Sequence, residues 1–175
     1  IVNLFNAEGG LFVNYIGHGS INRWSRAPVF TNAEVDRLTN GARLPIILSW
    51  TCLDGYWFHP TQVSMAELLL RAEAKGSVAG FAATGLGVGP GHERLWRGFY
   101  RGIYSQGARE LGTAAQAARL ELYLDGGFPD LVDTYTIFGD PALRLPLPTP
   151  TPRPSSTPSP TASPTATRFT APVRG

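Results

Sequence analysis

The stretch that most constrains the fold of this chain is Leu44-Pro45-Ile46-Ile47-Leu48-Ser49-Trp50-Thr51. Its apolar residues follow one another without the polar alternation of a strand that has one wet face, so both faces need cover. That is the pattern of a strand inside a parallel sheet. Leu11 to Ile16, "SVAGFAAT" and "TYTIFG" read as three further strands. Helical stretches fall between them: "TNAEVDRL", "MAELLLRAEAK", "GHERLWRGFYRGIYSQG" and "ARELGTAAQAARLELYLDGG". Thr31 with Glu34, and Ser64 with Glu67, have the spacing of capping boxes at two helix starts, and Gly76 stands where a C-cap belongs. Strands separated by helices predict an α/β sandwich of three layers, a mostly parallel sheet with helices on both faces.

Two of the predicted strands end in chemistry. "LFVNYI" runs into Gly17-His18-Gly19-Ser20, and "LPIILSWT" runs into Cys52, the only cysteine. Open α/β sheets bind ligands beyond the carboxyl ends of their strands, and a single crossover brings both endings to one sheet edge, one or two strand spacings of ~4.8 Å apart. A thiol and an imidazole on adjacent loops are what acyl transfer through a thioester needs. Gly17 permits the bend. The backbone N–H groups of Gly19 and Cys52 are candidate donors to a developing oxyanion. The plainer alternative makes Gly17 and Gly19 turn formers, His18 a satisfied polar residue and Cys52 a small apolar filler. Position separates the two, because packing does not require a Cys and a His at the ends of consecutive strands.

Gly17 and other residues near these endings are candidates for a substrate cleft: Trp24, Trp50, Trp57, Asp54, Thr84 and Gly85. For the tryptophans the competing reading is rim packing, and for Asp54, ahead of Gly55, it is a tight turn. Asp140, ahead of Pro141, reads as a turn residue. His18, Cys52, His59 and His92 are zinc-ligand types, but they lack the paired short spacings of a zinc site, and no metal is expected at the site. The glycine-rich segments "TGLGVGPG" and "GSVAG" lack the residues of a phosphate loop or dinucleotide fingerprint.

From Pro146 the composition changes. Nine of the 15 prolines lie in residues 146–175 among Thr and Ser, with no acidic residue. Such a segment cannot bury enough apolar surface to fold and reads as a disordered linker or stalk, which favours a secreted or cell-surface location. Residues 1–145 form the folded part and carry 12 basic and 13 acidic groups. The basic surplus belongs to the tail, which argues against a nucleic-acid partner. No apolar stretch reaches the ~20 residues of a membrane span. The start at Ile1 reads as an internal point of a longer protein.

The segments "NYIGHGSINRW", "LPIILSWTCLDGYW", "MAELLLRAEAKGSVAGFAATG" and "TIFGDPALRL", in that order, resemble the gingipain family of cysteine peptidases in the caspase–legumain–gingipain clan. The resemblance covers roughly residues 8 to 145. It implies a caspase-like sandwich whose first strands lie upstream, with residues 1–145 as the C-terminal part of the catalytic domain. It also implies His18 as general acid/base, Cys52 as nucleophile, and an oxyanion hole from the N–H groups of Gly19 and Cys52. The upstream half of the domain would then be a partner, supplying part of the specificity pocket and an acidic residue near the histidine. Catalysis would need no cofactor; a structural calcium ion is left open. The expected activity is endopeptidase cleavage of a peptide or protein substrate. The alternatives are sortase-like processing or transpeptidation by the same dyad, and a non-catalytic surface-binding module.

Overall fold

The computed structural model describes residues 1–27 and 29–148. From residue 149 on, the predicted stalk lies outside the described residues. A π-helical turn at Leu4–Glu8 leads into β1 (Phe12–Ile16). Next come three two-residue strands, β2 (Gly19–Ser20), β3 (Arg23–Trp24) and β4 (Phe30–Thr31). They are followed by α1 (Asn32–Asp36), β5 (Ile46–Trp50), α2 (Met65–Arg71), β6 (Ala79–Ala83), α3 (Gly89–Tyr104), α4 (Leu111–Asp125), α5 (Pro129–Thr134) and β7 (Tyr135–Phe138). The main sheet has the order β1-β5-β6-β7. β1, β5 and β6 are parallel, whereas β7 runs antiparallel to β6.

The unbroken apolar run has the two-sided burial its composition demands: every residue of β5 is buried. Ile46, Leu48 and Trp50 face a core with Phe81 of β6, Leu95, Phe99 and Ile103 of α3, and Leu111, Ala114, Ala118 and Leu122 of α4. Ile47 faces the other way, into Phe5, Trp24, Phe30, Val35, Leu38, Met65 and Leu69. Alternation along the strand thus sorts residues between two helical layers. α3 and α4 pack against each other through Gly98 and Gly102, which meet Ala114, Ala117 and Ala118.

Thr31 caps α1 as expected: its hydroxyl accepts from the N–H of Ala33, and Glu34 returns a bond to the Thr31 N–H at 2.9 Å. At α2 only half the box forms. Ser64 Oγ accepts from the Glu67 N–H, while the Glu67 carboxylate turns outward to Arg71 at 2.8 Å, a neighbour one helical turn on. α2 also ends sooner than the expected C-cap. It stops at Arg71, and Gly76 instead donates its N–H to Asn40 Oδ1, joining two loops. The small sheet β2-β3-β4, the opening π-helical turn and α5 go beyond the sequence expectation, because pieces of two to six residues are too short to display a period.

Candidate active site

The register of β1 on β5 sets the site. Phe12 lies opposite Ile46 and the pairing continues in step to Ile16 opposite Trp50. His18 and Cys52 therefore leave directly neighbouring strands, each two residues beyond the last paired position. Gly17 continues the ladder with a 3.5 Å bond from its N–H to the Trp50 carbonyl, at a φ of 156° that glycine adopts without strain.

The histidine loop is held by its backbone. The carbonyl of His18 accepts from the Tyr15 hydroxyl at 2.7 Å and from the Ser25 N–H at 2.6 Å, which leaves the exposed imidazole projecting from a fixed base. The hairpin then returns through β2 and β3, with Gly19 opposite Trp24. Gly19 lies so close to the Cys52 loop that a Cβ there would stand 2.4 Å from Thr51 Oγ1 and 3.0 Å from the carbonyl oxygen of Cys52. Only glycine fits that approach, which explains the second glycine of Gly-His-Gly.

The loop that carries Cys52 is pinned from the other side by the segment after β6. Leu53 takes a left-handed φ of 62°, uncommon for a branched side chain, and its N–H donates to Gly85 O at 3.1 Å. Gly55 N–H donates to Ala83 O at 2.9 Å. Cys52 is a free, half-buried thiol. Its Sγ accepts from the Gly87 N–H and donates to the Gly87 carbonyl, both at 3.4 Å. Among the described residues the backbone N–H of Cys52 donates to no carbonyl.

The cleft candidates divide. Gly85 touches the Cys52 loop through Leu53. Thr84 is half-buried and spends both its N–H and its hydroxyl on Thr134 O. Trp57 is 58% exposed beside Phe58 on the loop after Cys52. Trp24 and Trp50 are core residues with almost no surface to offer a substrate. Each is 1% exposed, Trp24 stacked on Tyr15 at 4.6 Å and Trp50 packed on Phe81, Phe99 and Tyr135. Their large apolar area drives them inward, and each satisfies its indole N–H within the fold, Trp24 on Asp54 and Trp50 on Asn14. Asp54 is equally unable to meet a substrate side chain, being buried with Oδ2 on Trp24 Nε1 at 3.1 Å. Burial pushes its pKa up to about 7, against smaller lowering contributions from the Ser49 hydroxyl and the Trp24 N–H.

Sequence reasoning missed Tyr15, Thr51 and Gly87. Of these only Gly87 carried a signal, in the glycine-rich text after the third strand. His92 is buried behind Gly87, 5.8 Å from the Tyr135 ring, with its Nε2 unpartnered among the described residues, and desolvation lowers its pKa. Among the described residues no three His, Cys, Asp or Glu side chains converge as a metal site, and no helix is long and apolar enough to cross a membrane.

A family model for peptidase family C25 matches residues 1–146. The chain belongs to that family. Gingipain R2 of Porphyromonas gingivalis is 30% identical to the C25 chain over 158 residues, covering 82% of this chain and 20% of that protein. Gingipain R1 of Porphyromonas gingivalis is similar to the same extent over 15% of its own length. The crystal structure of the Arg-specific cysteine proteinase gingipain R superposes on 82% of the chain with a TM-score of 0.76 at 27% identity, using 35% of the solved chain. A complex of RgpB pro- and mature domains gives 0.72 at 27% identity over 36% of that chain. The gingipain resemblance of the four motifs and the expected α/β sandwich therefore both hold. The C25 chain spans about a fifth or less of these curated relatives and about a third of these solved structures.

Proposed function

We propose that the C25 chain carries the catalytic dyad of a cysteine endopeptidase, with Cys52 as nucleophile and His18 as general acid/base. The observation that carries this reading is the step-for-step pairing of β1 with β5, which sends the two residues off adjacent strand ends onto loops that touch at Gly19 and Cys52. Cys52 Sγ attacks the carbonyl carbon of the scissile peptide bond, its proton passing to the imidazole. The oxyanion so formed is received by the N–H groups of Gly19 and Cys52, the latter without a carbonyl acceptor among the described residues. Collapse of the tetrahedral species breaks the C–N bond, and His18 returns the proton to the leaving amine, leaving a thioester on Cys52. Water then attacks the thioester with His18 as base, releasing a carboxylic acid and the thiol. Every group in this sequence comes from the chain or from water, and the reaction calls on no cofactor.

The substrate is a peptide or protein. The Thr/Pro/Ser-rich composition of residues 146–175 supports a secreted or surface setting. The test uses the protein with all the flanking sequence it naturally carries. Cys52→Ala should abolish cleavage of a peptide panel that the unaltered protein cleaves, and full activity in that variant refutes the assignment. Mass spectrometry with an added amine separates hydrolysis, which gives the free acid alone, from transpeptidation, which gives an amide.

A further inference from the structure

We propose that Asp54 is a positioning residue for the Cys52–His18 pair: through its hydrogen bond to Trp24 Nε1 it holds the histidine hairpin against the nucleophile loop. The inference rests on the dyad reading above and adds to it a residue that touches neither substrate nor reacting atoms. Asp54 follows the nucleophile by two positions. Trp24 lies opposite Gly19 in the β2–β3 pairing and precedes Ser25, whose N–H fixes the His18 carbonyl. The 3.1 Å bond between Asp54 and Trp24 thus joins the two loops by side chains thirty residues apart in sequence.

A turn role does not account for this carboxyl. An aspartate that shapes a turn bonds its own backbone two residues on, as Asp140 does to the N–H of Ala142 at 2.8 Å. Asp54 does not. Its Oδ2 goes to Trp24 and its Oδ1, wholly buried, has no hydrogen-bond partner among the described residues. The Ser49 hydroxyl, also buried and unpartnered, influences the carboxyl without meeting hydrogen-bond geometry. An apolar residue would fill this position without the desolvation that raises the Asp54 pKa, so the bond to Trp24 is what the carboxyl contributes.

The surroundings make the bond directional. The indole of Trp24 is held between Tyr15, stacked at 4.6 Å, and Phe30, at 5.2 Å, so Nε1–H has one orientation to offer. The Asp54 backbone is fixed in turn, its carbonyl accepting from the Ala66 N–H at 2.9 Å. The hairpin has one further backbone anchor on the same element, the Met65 N–H to Ile21 O at 2.7 Å. That bond secures the hairpin tip, whereas the Trp24–Asp54 bond secures the strand that faces Gly19.

The experiment is a double-mutant cycle on peptide hydrolysis with Trp24→Phe, Asp54→Ala and both together, and with Asp54→Asn as the conservative replacement. Trp24→Phe keeps an aromatic ring between Tyr15 and Phe30 and removes the donor. Each single variant should lower kcat by about 10- to 100-fold, as expected for a reacting pair displaced by an ångström or less, with KM within about threefold. The double variant should be no slower than the worse single one. Asp54→Asn, which retains an acceptor for Trp24, should recover most of the rate. Hydrogen–deuterium exchange of Gly19–Trp24 should quicken in Trp24→Phe and Asp54→Ala but not in Asp54→Asn. Additive losses, an Asn variant as slow as the Ala variant, or unaltered kcat in Trp24→Phe would overturn the proposal. If Asp54→Ala fails to fold, Trp24→Phe and Asp54→Asn still decide it. The dyad reading fails separately, when Cys52→Ala hydrolyses as fast as the unaltered protein.

Discussion

Gly19→Ala is the most direct test of how closely the two loops must approach. The new methyl would stand 2.4 Å from Thr51 Oγ1, 2.8 Å from Thr51 Cγ2 and 3.0 Å from the Cys52 carbonyl oxygen, where ordinary contact begins near 3.4 Å. Thr51 is fully buried and β-branched, so it cannot swing aside. The hairpin must therefore lift by about 1 Å, the shortfall of the tightest of these contacts. A reacting group misplaced by about 1 Å costs roughly 100-fold in rate, while overpacking of this kind costs about 1–3 kcal/mol of stability. We expect kcat/KM for peptide hydrolysis to fall about 100-fold in a protein that still melts cooperatively. Adding Thr51→Ala removes two of the three close contacts and breaks no hydrogen bond of Oγ1, which has no partner among the described residues. The double variant should regain about tenfold, the Cys52 carbonyl contact accounting for the remaining deficit. A folded Gly19→Ala protein within about threefold of the original activity, a gap far below the cost of a 1 Å displacement, would refute the reasoning.

Asp54→Asn should change how stability responds to pH. The folded protein holds a proton on Asp54 up to about pH 7, while the unfolded chain releases it near 3.8. Stability therefore declines as pH rises between these values and levels off above them. A rise from 3.8 to about 7 is worth about 4 kcal/mol. Urea unfolding between pH 4.5 and 8 should show this slope in the original protein and lack it in Asp54→Asn, and parallel profiles would contradict it. Burial, with a smaller contribution from the Asp54 charge, raises the pKa values of Tyr15 and Tyr135 above their ordinary 10, so both stay neutral across this window. Tyr15→Phe removes one of two bonds to the His18 carbonyl and should cost about 0.5–1.5 kcal/mol, with kcat reduced more than KM raised; unchanged kinetics would mean that the Ser25 N–H suffices. Trp50→Ala empties a site buried among Phe81, Phe99 and Tyr135 and should cost about 3–5 kcal/mol in chemical denaturation, a figure that a cleft-lining tryptophan would not reach.

The sequence by itself determined the elements that announce themselves through a local pattern. The uninterrupted apolar β5 could only be a strand covered on both faces, Thr31 and Glu34 marked the start of α1, and the endings at His18 and Cys52 stood out as polar residues where apolar runs stop. Those signals are local, carried by neighbours within one or two turns or along one strand. Tertiary structure decided everything that depends on residues far apart in the chain. It placed β1 directly against β5, turned β7 antiparallel, and drew Trp24 and Trp50 into the core although they sit beside the two motifs. It also joined Asp54 to Trp24, a bond of buried side chains from different loops. The physical reason is the same in each case. Burial and hydrogen-bond partnership are properties of a residue's surroundings in space, and neither the spacing of Trp24 from Gly19 nor that of Asp54 from Cys52 reveals which residue the other loop brings to meet it.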